Sequence, residues 1–143
     1  MLDTLYSQIG FALAALIAAA AFLKGDEPER IGAGALIIGV SATQLARNPG
    51  ALTGPQWSLI ALDLAFLAVC IALAWKSRRP WPVWASAFQS LAVASHLLTF
   101  VDVQPPLTAL DAIVNLAGYG LLASIGLGTL VAWRERRAAL TLL

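Results

Sequence analysis

The chain has 143 residues, 59% of them hydrophobic and 12% charged, with a mean hydropathy of +0.79. A soluble domain carries about twice that share of charge, and a formal net charge of +1 offers nucleic acid no basic footprint. The single cysteine, Cys70, excludes an internal disulfide, and no cysteine–histidine cluster offers a zinc site.

The apolar residues fall in five runs, 5–23, 31–46, 57–75, 83–101 and 109–133. A run of about 20 such residues crosses the hydrocarbon layer as a helix. The short alternating segments of a membrane β-barrel are absent. The expected fold is therefore all-α: one membrane bundle of five transmembrane helices, with no soluble domain attached.

The first run follows Met1-Leu2-Asp3-Thr4. These residues lack the basic start of a secretory signal, so the run is read as a retained span. Residues 24–30, Lys-Gly-Asp-Glu-Pro-Glu-Arg, read as a charged turn. The second run contains Gly32, Gly34 and Gly39 and is the shortest, with about 24 Å of helix. Arg47-Asn48-Pro49-Gly50 and Gly54-Pro55 end it. The third run carries Asp63 and leads into Lys76-Ser77-Arg78-Arg79-Pro80-Trp81-Pro82. The fourth carries Gln89 and His96 and stops before Gln104-Pro105-Pro106. The fifth carries Asp111, Asn115, Gly118 and Tyr119, and a basic tail follows.

Alternate connections hold the cations. Lys24, Arg30, Lys76, Arg78, Arg79, Arg134, Arg136 and Arg137 fall on one side of a five-span path, and Arg47 alone falls on the other. The positive-inside rule then sets the N-terminus outside and the tail in the cytoplasm, in a bacterial inner membrane. Trp75, Trp81, Trp84 and Trp133 fall at the expected cytoplasmic ends, and Trp57 and Tyr6 at the outer ends, as interfacial anchors do. Small residues such as Ser124, Gly128 and Ala132 suit close helix approach. The glycine pairs lack the strand-to-helix setting of a dinucleotide loop.

Ionisable groups inside a bilayer cost at least about 2.5–3.5 kcal/mol unless they find a partner or water. Asp63, His96 and Asn115 each stand five or six residues inside the outer end of their run. That places all three about 8–9 Å below the surface. Gln89 and His96 are seven apart and share a face. The simplest arrangement gathers Asp63, His96 and Asn115, with Gln44 and Arg47 above and Tyr119 and Gln89 below. Such a cluster is either a polar lock that fixes helix packing or a site for a ligand or proton.

One histidine rules out bis-histidine haem within one chain. Haem held by His96 and another ligand, or shared by two protomers, stays open. Ser95 is adjacent to His96 and points elsewhere, so hydrolase chemistry is not expected. No cofactor is called for.

Gln56-Trp57 with Leu62-Asp63, and Arg78-Arg79-Pro80-Trp81-Pro82-Val83-Trp84-Ala85 with Phe88-Gln89 and His96-Leu97, resemble a group of short polytopic bacterial membrane proteins with no assigned activity. The resemblance implies that the positions of Asp63, Gln89 and His96 belong to a shared pattern. The expected function is non-enzymatic: an accessory or scaffold subunit of a membrane complex, or a homo-oligomer. Its partners would be membrane lipids and other membrane subunits or copies of itself. The alternative is a small binding or transport protein whose outward cluster takes a proton, a quinone-like molecule or a small polar solute.

Overall fold

The computed structural model describes residues 2–46, 57–98 and 107–141. They form five helices: α1 (Leu2–Lys24), α2 (Glu27–Ala46), α3 (Trp57–Ser77), α4 (Trp81–Leu97) and α5 (Leu107–Leu140). No strand occurs among the described residues. The expected connections at Arg47–Asn48 and at Gln104–Pro105 lie outside them, as do the side chains of Tyr6, Gln44 and Asp111.

The helices extend beyond the expected spans at most ends, because polar residues with good helix propensity continue them. The clearest difference is α2. The charged stretch expected as a turn is mostly its first turn, and only Gly25 and Asp26 connect α1 to α2. Asp26 stands at the N-cap position. Its backbone N–H donates to Glu29 Oε2 at 2.9 Å, the reciprocal half of a capping box. Pro28 loses nothing in a first turn, where amides have no intrahelical partner. Pro82 uses the same freedom in α4, after Pro80.

The described part of α4 ends at Leu97, short of the expected 101, and residues 99–106 are outside the description. Arg78 reverses the chain between α3 and α4 with φ of +52°. That is the left-handed region, which side chains other than glycine enter at a cost.

Each helix packs on the next, and α5 returns to α1, with a smaller contact from α2 across to α5. The core is made by Leu36, Phe66, Cys70, Leu73, Trp81, Ala85, Leu121, Leu122 and Ile125. Ala14, Ala18 and Ala21 give α1 a small face, and Ala18 and Ala21 pack against Ala33 of α2. Short side chains on both helices let the backbones come near.

The outside is apolar. Leu16, Leu23, Ile38, Trp57, Leu116 and Leu127 are exposed, and Trp75 is 90% exposed. Large exposed side chains of this kind are found where a surface meets a membrane or a partner. Among the described residues two helices are long and apolar enough to cross a bilayer, Trp57–Ser77 and Ala112–Leu140, at mean hydropathies of 2.3 and 1.5. Gln8–Lys24 is a shorter apolar helix.

Candidate functional site

Two polar clusters sit at opposite ends of the bundle. The first lies near the start of α3. There α3 and α4 run antiparallel, so the early turns of α3 meet the last turns of α4. His96 Nε2 is 2.9 Å from Asp63 Oδ2. Gln89 Nε2 donates to Asp63 Oδ1 at 2.9 Å and to the Asp63 backbone carbonyl at 3.2 Å. The two carboxylate oxygens are thus held by different residues of one helix face. Gln89 is buried, whereas the side chains of Asp63 and His96 are 29% and 27% exposed. The pair closes the α3–α4 seam and still reaches the surface.

Sequence spacing expected Asp63, His96 and Asn115 together with Gln89 and Tyr119 below; Asp63, His96 and Gln89 meet, and the other two do not join them. Asn115 and Tyr119 are exposed on α5, and no hydrogen bond joins either to Asp63 or His96 among the described residues. Equal depth does not set rotation, and α5 turns these two residues outward. Gln44 cannot be added, because its side chain is outside the description. Ser86 donates to the Pro82 carbonyl at 2.7 Å and Ser95 to the Ala92 carbonyl at 2.7 Å. Both hydroxyls are therefore engaged within α4.

The second cluster was not anticipated. Glu29 is fully buried. Besides its bond to Asp26, its Oε1 accepts from the Trp81 indole Nε1 at 2.7 Å. Arg79 Nε lies 3.9 Å from the same oxygen. The Arg79 guanidinium also pairs with Asp26 at 2.8 Å and with Glu135 at 2.9 Å. Arg136 contacts Asp26 and donates to the Gly25 carbonyl at 3.0 Å. Lys24 and Arg137 lie over the Trp133 ring, 4.8 and 4.4 Å from its centroid. These contacts tie both short connections and the end of α5 into one network.

Trp81 is therefore not the interfacial anchor expected of it. Its indole is wedged between α2 and α5. A Cβ on Gly32 would lie 2.6 Å from the ring, and one on Gly128 2.3 Å from it. Only glycine leaves room for the ring on both sides. Trp75, Trp84 and Trp57 do face outward. The missed signal was present: Asp26-x-x-Glu29 is a capping box, and a carboxylate held at N3 beside an apolar helix needs a donor from elsewhere. Between α4 and α5 lies a groove of about 330 Å³, lined by Trp84, Phe88, Leu127 and Gly128 with Arg79 at one end.

Chemically, both clusters hold a carboxyl group between nitrogen groups of neighbouring side chains. No family model, curated protein or solved structure matches the chain. The two clusters and the apolar exterior are what the chain itself offers toward a function.

Proposed function

We propose that the chain is a five-span integral protein of a bacterial inner membrane, with its N-terminus outside and its tail in the cytoplasm. It acts without catalysis, as an accessory or scaffold subunit that associates with other membrane subunits or with itself. The apolar exterior carries this reading: large aliphatic and aromatic side chains are exposed on all five helices. The charge pattern agrees, because the ionic network gathers at the end where the basic connections lie. Both polar clusters are internally paired, which suits packing glue.

Native mass spectrometry of ejected membranes tests the reading. A scaffold subunit leaves the membrane with protein partners or further copies. In that case Asp63→Asn lowers the melting temperature and leaves partner capture in place. A monomeric, partner-free chain that moves solute or protons in liposomes would replace this reading with the transport one.

One observation favours that second reading. The Asp63–His96 pair is more than a quarter exposed at the bundle surface, and ionisable groups inside a membrane often mark a ligand or proton path. Under it, Asp63→Asn abolishes flux in proteoliposomes while the melting temperature stays near that of the parent.

A further inference from the structure

The middle of α5 differs from the stretch just before it. Leu121, Leu122, Ser124, Ile125, Thr129 and Ala132 are all buried against the rest of the bundle. Between residues 114 and 119 every residue is exposed except Ala117. This stretch touches its own chain along a single line. It displays Asn115, and Gly118 and Tyr119 lie on the same side, three and four residues on. A Cβ on Gly118 would meet nothing within 4 Å, so the helix surface beside Asn115 is open.

An amide so placed, about six residues below the expected membrane surface, is costly against lipid. Side-chain amides of this kind hydrogen-bond across helices when a neighbour is present. Asn carries a donor and an acceptor on one short side chain. It is therefore complementary to itself, as Asp or Lys would not be. A twofold axis along the membrane normal brings each residue to its own depth on the partner. Asn115 then meets Asn115 with every bond made twice, the isologous contact of a closed dimer. Gly118 lets the two helices approach, and Tyr119 borders the contact.

We infer that the chain pairs with a second copy of itself through residues 114–119 of α5, Asn115 bonding to Asn115 across a twofold axis. This rests on the reading of the chain as a membrane-embedded subunit and specifies its partner.

Disulfide cross-linking in membranes tests it. In a Cys70→Ala background that keeps Asn115, Tyr119→Cys, on the same exposed face, is expected to give a dimer band several times stronger than Leu64→Cys, a control on the exposed face of α3. Gly118→Leu, which adds bulk only to open space in its own chain, is expected to remove the band from the Tyr119→Cys protein. Asn115→Leu without cysteine should weaken dimerisation about 3- to 30-fold in detergent titrations, and Asn115→Gln should retain most of it. A band at residue 119 no stronger than at residue 64 overturns the inference. If other proteins still co-purify in that case, the scaffold reading survives and only the twofold contact falls. If the chain is alone and monomeric, both fall.

Discussion

Trp81→Phe keeps most of the aromatic volume between α2 and α5 and deletes one N–H. Glu29, fully buried, then loses its indole donor. Leaving such an acceptor short costs about 1–3 kcal/mol, or more for a charged group. The melting temperature should fall well below that of Trp84→Phe, which changes an exposed ring. Gly128→Ala drives a methyl into the same indole, and overpacking of that kind costs about 1–3 kcal/mol. Combining it with Trp81→Phe should not recover stability to the level of Trp81→Phe alone unless the smaller ring moves aside. At the other cluster, Asp63→Ala takes one of two acceptors from the buried Gln89 amide and leaves it the backbone carbonyl of residue 63. A double-mutant cycle between Asp63 and His96 should give a coupling of roughly 0.6–2 kcal/mol. A coupling near zero would remove His96 from the lock.

Of the two described connections, α3–α4 carries the positive-φ residue and two adjacent arginines. Arg78 holds φ of +52°, so Arg78→Gly should stabilise by roughly 1 kcal/mol. Arg79 is different, since its guanidinium spans Asp26 and Glu135. Arg79→Gln should loosen the end of α5, read as faster amide exchange or earlier tryptic cleavage at Arg134 and Arg136. Lysine should rescue little, because a point charge cannot fork to both carboxylates. Sequence spacing reached the α3–α4 contact because an Asp and a His in apolar runs have few ways to be satisfied. It did not reach Asn115's outward face, since depth follows from counting residues and rotation follows from packing. The Glu29–Trp81 contact was hidden for another reason. Charged residues beside a glycine read as a turn, and a tryptophan at a helix end reads as an anchor. Only tertiary structure shows that the two face each other.

For the whole molecule, the proposed orientation rests on eight cations against one. Single cysteines placed at the two ends in a Cys70→Ala background should label from opposite sides of the membrane. Labelling from the same side would change the number of crossings and separate the depths of Asp63 and Asn115. The apolar exterior makes a related demand: the protein should aggregate in buffer without detergent and stay monodisperse in lipid nanodiscs.

The wedge between Gly32 and Gly128 has a consequence for synthesis. Glu29 leaves the ribosome 52 residues before the indole that completes it. At 5–20 residues per second that is a wait of roughly 3–10 s. Gly128 follows only after most of α5 has been made. On the proposed membrane reading, the first three helices enter the bilayer while Glu29 still lacks its indole donor, and α4 arrives as the stopper that lets it be sealed. A nascent chain arrested after α3 should keep Glu29→Cys open to a water-soluble maleimide. Release and completion of the chain should close it.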